Sequence, residues 1–209
     1  MSEPKVSYDL RQVIYDAGII VAETNQLMAE EDIDDMTGYA GATEDVGAVL
    51  TNAGGGGTTG LVAVAARLEH PRNVVITQVY GAITGGNIRV CGIGMNGLPT
   101  SELFALGTAS GTLTGNVPFL RVDEVHVWGV TGTPTTSDTF GIGTGAKIGL
   151  PMGTDCVLHD VVKERFDSAD IAITPGNIDR TYGTYTPTST LDGSKFLEIW
   201  YVVKRTLTW

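Results

Sequence analysis

The feature that most constrains this chain is a series of short β-branched runs between residues 61 and 203, each closed by glycine, proline or an Asn-Gly or Asp-Gly pair. Val74, Val75, Ile76, Val79 and Tyr80 lie between Pro71 and Gly81; Ile88 and Val90 then alternate with Asn87, Arg89 and Cys91. An Asn-Gly turn follows at Asn96 and Gly97, so two strands joined this way form a meander. Further runs fall at residues 102–106, 117–122, 125–130, 139–142, 147–150, 157–162, 171–173 and 195–203. Turn residues separate them at Gly107, Gly111, Gly115, Gly132, Pro134, Gly153, Pro175, Gly176 and the Asp192-Gly193 pair. Strands at a spacing of roughly 8–12 residues with such punctuation predict a sandwich or barrel and not βαβ units. The 28 glycines, with nearly as many threonines, fit that expectation.

Residues 1–60 break the pattern. Leu10, Val13, Ile14 and Ala17 have the i, i+3, i+4, i+7 spacing of a helical stripe, but Gly18 and the run Ile19, Ile20, Val21 disrupt it. The segment therefore reads as a short helix or an extended arm. An acidic run (Glu30, Glu31, Asp32, Asp34, Asp35) follows, and residues 52–60, NAGGGGTTG, have the composition of a flexible linker. The expected architecture is mainly β, with a β-sandwich or jelly-roll body over residues 61–209 and an extended or partly helical arm plus Gly-rich linker over residues 1–60. Residues 61–70 are the one helix candidate in the body, and a strand fits them equally.

Charge excludes several function classes. Residues 1–50 hold 11 acids and 2 bases, the rest 13 acids and 11 bases, and the whole carries −11. An acidic end on a nearly neutral body repels phosphate backbones, so nucleic acid is not an expected partner. No stretch approaches the ~20 apolar residues of a membrane span, and no export signal is readable at the N-terminus, so no membrane partner is expected. The two cysteines, Cys91 and Cys156, are too few for a disulfide scaffold and read as half-buried thiols.

Motifs for chemistry are weak. Gly55, Gly57 and Gly60 match G-x-G-x-x-G only within a glycine run, without the βαβ context or the acidic residue that nucleotide binding needs. Asp155, Cys156, His159 and Asp160 are the one compact group of ligating residues, yet strand geometry turns Cys156 and His159 to opposite faces. Asp32, Asp34 and Asp35 lack the downstream Gly and Glu of a calcium loop, with Thr37 and Thr43 in those places. Asp123 and Glu124 would point to opposite sides of a strand, and neither G-x-S-x-G nor H-E-x-x-H occurs. No catalytic residue, cofactor or metal ligand is assigned, and no enzyme activity is expected. Residues 196–203, FLEIWYVV, form the strongest strand, apolar enough for burial on both faces or against a neighbouring subunit.

Several strings together resemble tailed-bacteriophage virion structural proteins. They are PRNVVITQV (71–79), ITGGNIRVCGIGMNG (83–97) with Glu102 behind it, VPFLRVDEVHVWGV (117–130), DTFGIGTGAKIGLP (138–151) and DGSKFLEIWYVV (192–203), and the stretch they span, residues 71–203, is about two thirds of the chain. The resemblance implies a β-sandwich or jelly-roll body that serves as a head decoration or cement protein, usually as an oligomer. It carries no catalytic residues, and the acidic arm is an addition to its pattern. The implied partners are the major capsid protein and further copies of this chain, as a homotrimer or homodimer. The implied location is the capsid surface of the virion, after synthesis in the host cytoplasm. Candidate interface residues are Ile14, Ile19, Ile20 and Val21 in the arm, with Trp128, Trp200 and Trp209 as aromatic anchors; a core place fits Trp128 equally. On this expectation, deleting residues 1–50 leaves the body folded and abolishes attachment. The alternatives are a tail or baseplate component, or a glycan-binding receptor module in which Tyr182 and Tyr185 stack on sugars.

Overall fold

The structure, a computed structural model, describes residues 5–15, 28–32, 61–132, 135, 137–153, 155–189 and 195–207. Its strands are β1 (Lys5–Tyr15), β2 (Met28–Asp32), β3 (Leu61–Val79), β4 (Ile83–Gly94), β5 (Pro99–Leu106), β6 (Gly111–Gly132), β7 (Thr139–Gly149), β8 (Cys156–Phe166), β9 (Ala169–Ile171), β10 (Ile178–Asp179), β11 (Thr184–Tyr185) and β12 (Leu197–Leu207). A 3-10 turn covers Pro175–Asn177. The chain is mainly β, in two antiparallel sheets. The larger runs β10-β11-β7-β3-β6-β4-β5, with β2 added beside β7, and the smaller runs β1-β12-β8-β9.

The larger sheet curls into a half-barrel around its own core. Val74 and Ile76 of β3, Ile88 and Val90 of β4, Phe104 of β5, Phe119, Val122, Val125 and Val127 of β6, and Phe140 and Ile142 of β7 form one buried cluster. A single sheet can enclose side chains from five of its strands only by bending round them. A second core lies where the smaller sheet meets the end of the larger. There Leu158, Val161, Leu197, Ile199, Tyr201 and Val203 pack with Ile148, Leu150 and Tyr185.

Two open alternatives resolve as strand. The helical spacing of Leu10, Val13 and Ile14 yields no helix: β1 is extended and pairs with β12 from Lys5 opposite Leu207 to Tyr15 opposite Leu197. Valine and isoleucine are indifferent helix formers, and pairing with the most apolar strand of the chain outweighs their spacing. Residues 61–70 likewise form the first half of β3. The described parts of the N-terminal segment are thus strands of both sheets, β1 in the smaller and β2 in the larger. Deleting residues 1–50 would strip an 11-residue strand from β12, so it no longer isolates attachment from folding. Residues 52–60, Asp34, Asp35, Ile19, Ile20, Val21 and Trp209 lie outside the described residues.

Local chemistry accounts for the turns. The β4–β5 hairpin closes through Gly94 and Gly97, with Gly97 at φ 77° and its N–H donating 2.9 Å to the Gly94 carbonyl. The expected strands at 117–122 and 125–130 fuse into the 22-residue β6, because Asp123 and Glu124 form a bulge instead of a turn. Two fully buried carboxylates pin loops to the sheets. Asp138 accepts N–H groups from Gly81 (2.6 Å), Ala82 (2.9 Å), Ile83 (3.1 Å) and Thr135 (2.8 Å), plus the Thr135 hydroxyl. Glu164 accepts the Tyr185 hydroxyl (2.5 Å) and the N–H groups of Thr188 (2.9 Å) and Ser189 (3.1 Å). Burial pushes the Asp138 pKa up, but the donors from Ile83, Ala82, Thr135 and Gly81 outweigh it and hold the carboxyl well below its usual range.

Candidate functional site

Strand alternation divides β1 into two faces. Arg11 and Val13 turn inward: Arg11 donates to the Met152 carbonyl at 2.5 Å, and Val13 packs on the second core. Val6, Tyr8, Leu10 and Ile14 turn outward, and Tyr8, Leu10 and Ile14 are 56%, 65% and 56% exposed. The pairing carries this apolar face across the sheet. Leu10 sits opposite Val202 and Gln12 opposite Trp200; on β8, Lys163 faces Trp200 and Val157 faces Lys204. Val157 and Val162 are also more than half exposed. The indole of Trp200 is only half-buried, with Lys163 Nζ 5.3 Å from its ring centre and the Arg165 guanidinium 6.0 Å away. Tyr8 lies against the His159 ring at 4.8 Å.

Ile14 and Trp200, both picked from sequence as interface residues, therefore share one face. The outer edge of β1 pairs with no described strand. An exposed apolar face beside an open strand edge is what association by surface burial and strand addition uses. Trp128 lies elsewhere, half-buried on the first core beneath the Arg89 guanidinium at 5.5 Å.

A different chemistry occupies the larger sheet. An open depression of about 590 Å³ is lined by Cys91, Gly92, Thr100, Ser101, Asp123 and Glu124 among others. Register explains it: Cys91 pairs with Glu124, but Gly92 pairs with Val122, so Asp123 is the extra residue of a bulge. Glycine is required there, since a Cβ on Gly92 would lie 2.0 Å from the Arg121 carbonyl oxygen. The bulge also corrects the expectation that Asp123 and Glu124 face opposite sides, because both line the same depression. Asp123 is held by Arg121, whose NH2 group donates at 3.1 Å. Glu124 Oε1 lies 3.1 Å from His126 Nε2, and Cys91 joins them: one donor atom from each residue falls within 4.8 Å of the other two. Glu124 and His126 are visible in sequence as an i, i+2 pair on one strand face, whereas Cys91 enters only through the strand register.

The sequence-derived group around Cys156 does not converge. Cys156 Sγ lies 4.0 Å from Arg11, the His159 ring lies tilted against Tyr8, and Asp160 pairs with Arg180 at 3.3 Å. Cys91 and Cys156 are both half-buried and form no disulfide. Of the two tyrosines considered for sugar stacking, Tyr185 is fully buried with its hydroxyl on Glu164, which removes it from any ligand. Tyr182 stays exposed at the rim of a groove of about 410 Å³ shared with Met95, Met152 and Cys156. Comparison with protein families, with curated proteins and with solved structures gave no match to this chain.

Proposed function

We propose that this chain is a virion structural protein of a tailed phage that decorates and cements the capsid, with a sandwich or jelly-roll body as the rigid unit. The observation that carries the adhesive part is the exposed Tyr8, Leu10 and Ile14, with half-buried Trp200, beside the edge of β1 that pairs with no described strand. The strings that resemble phage virion proteins supply the particle. A stable contact buries about 800 Å² on each partner. Binding only to the assembled lattice stabilises that state by mass action.

The self-contact that β1 favours is antiparallel pairing with a second copy, centred on Leu10. In that register Val6 meets Ile14 and Leu10 meets Leu10 on the outer face. On the inner face Asp9 meets Arg11 twice, which places opposite charges across the join. The remaining outer face is left for the capsid protein. Imaging particles assembled with and without the chain tests the reading. Density for the two-sheet body on the outside of the head, bridging neighbouring capsid subunits, is expected; density confined to the tail would favour the tail or baseplate alternative, and none on either would refute both. The receptor alternative retains Tyr182 alone as a stacking residue.

A further inference from the structure

We propose that Cys91, Glu124 and His126 form a site for a divalent first-row metal ion of borderline softness, zinc above all. The argument is independent of the virion reading and starts from strand geometry. Glu124 and His126 are two apart on β6 and so project to one face, and Cys91 stands directly opposite Glu124 on β4. The three donor atoms, a thiol sulfur, a carboxylate oxygen and an imidazole nitrogen, all lie within 4.8 Å of one another, and the Glu124 Oε1 to His126 Nε2 distance is 3.1 Å. A tetrahedral zinc ion with bonds of about 2.0–2.3 Å spaces its ligands at roughly 3.3–3.7 Å, so side-chain rotation closes the remaining gap.

The donor types decide which ion. Calcium and magnesium take oxygen almost exclusively, whereas sulfur, imidazole and one carboxylate together suit zinc and cobalt. Binding takes the lone pair of the His126 nitrogen that faces Glu124 and displaces the proton of the Cys91 thiol. The scaffold is paired on both sides: β6 lies between β3 and β4, and β4 between β6 and β5, and the His126 side chain is 5% exposed while that of Glu124 is 40% exposed. Cys91 and Glu124 line the depression together with Asp123 and Ser101, and His126 stands buried behind them, so three protein ligands would hold the ion and a fourth position would remain for another donor. Arg89 is opposite His126 in register, a cation that opposes metal binding, but its guanidinium lies over the Trp128 ring. The ion would staple β4 to β6 beside the bulge and offer its open position to water or to a donor from a neighbouring molecule.

Cobalt reports the site directly, because a thiolate on Co²⁺ gives an intense near-ultraviolet charge-transfer band. The full chain is purified reduced and metal-free and titrated with Co²⁺ and then Zn²⁺. One equivalent of Co²⁺ should raise that band, and Zn²⁺ should erase it. Cys91→Ser should abolish the band and Cys156→Ser should leave it intact. Glu124→Gln, at a half-exposed position that tolerates change, should keep the fold while weakening Co²⁺ binding about tenfold or more. No thiolate band in the unaltered chain, a band that survives Cys91→Ser, or one that vanishes in Cys156→Ser would overturn the assignment.

Discussion

The two sheets solve the problem of apolar surface in opposite ways. The larger bends round its own side chains, so one face is consumed by a core drawn from five of its strands, and its other face carries polar residues such as Arg89, Glu124 and His126. The smaller sheet buries one face and leaves large apolar side chains exposed on the other, set among Gln12, Lys163, Arg165 and Lys204. Among the described residues eleven large hydrophobic side chains are exposed, and six of them (Val6, Tyr8, Leu10, Ile14, Val157 and Val162) belong to its four strands. A sheet that curls covers its own apolar side chains; one that leaves them exposed has surface to offer a partner.

Core truncation in the larger sheet should therefore cost the most. Phe119 is fully buried in the half-barrel, so Phe119→Ala is expected to destabilise the chain by about 3–5 kcal/mol, measured by urea unfolding. Oligomer formation by whatever remains folded should be unaffected. A cost below about 1 kcal/mol would mean that the half-barrel does not enclose its own core.

Asp138→Ala comes next, at about 3 kcal/mol, because it orphans the N–H groups of Gly81, Ala82, Ile83 and Thr135. The pH dependence has a defined sign. The Asp138 carboxyl is depressed in the folded state, so its contribution is fully present above the unfolded pKa of about 3.9 and is lost as pH falls toward the folded value. Unfolding midpoints of the unaltered chain and of Asp138→Asn should converge as pH drops below about 4; parallel curves would contradict the clamp.

Substitutions on the outer face of the smaller sheet should act on association and spare the fold. Leu10→Asp with Ile14→Asp is expected to shift the unfolding free energy by less than about 1 kcal/mol while removing particle binding, followed by co-sedimentation with capsids. Trp200→Ala should have the smallest effect, weakening attachment about tenfold, or 1.4 kcal/mol, because its ring is already half covered by Lys163 and Arg165. Equal losses from Phe119→Ala and the Leu10, Ile14 pair in both assays would erase the distinction between the sheets.

Much of the fold is legible in the sequence, because β-branched runs and their glycine punctuation report burial directly. The Asn96-Gly97 hairpin and the dominant strand around Ile199 to Val203 follow from local chemistry alone. What escapes is whatever depends on pairing. In β1 the helical spacing of Leu10, Val13 and Ile14 coincides with a strand alternation of Val6, Tyr8, Leu10 and Ile14, and only β12 selects between them. The single-residue bulge at Asp123 reverses the side on which a carboxylate stands, and its sole trace in the sequence is Gly92 on the neighbouring strand. Tyr185 sits among small polar residues in the sequence, yet its hydroxyl partner Glu164 is 21 residues away and gives no local signal.

Sedimentation velocity on the full chain tests the adhesive surface most directly, comparing the unaltered protein with the Leu10→Asp, Ile14→Asp variant across a concentration series. The unaltered chain should sediment as a concentration-dependent oligomer and the variant as a folded monomer. An unaltered chain that remains monomeric at every concentration, or a variant that assembles just as well, would contradict the claim that the outer face of β1 is where this molecule is completed.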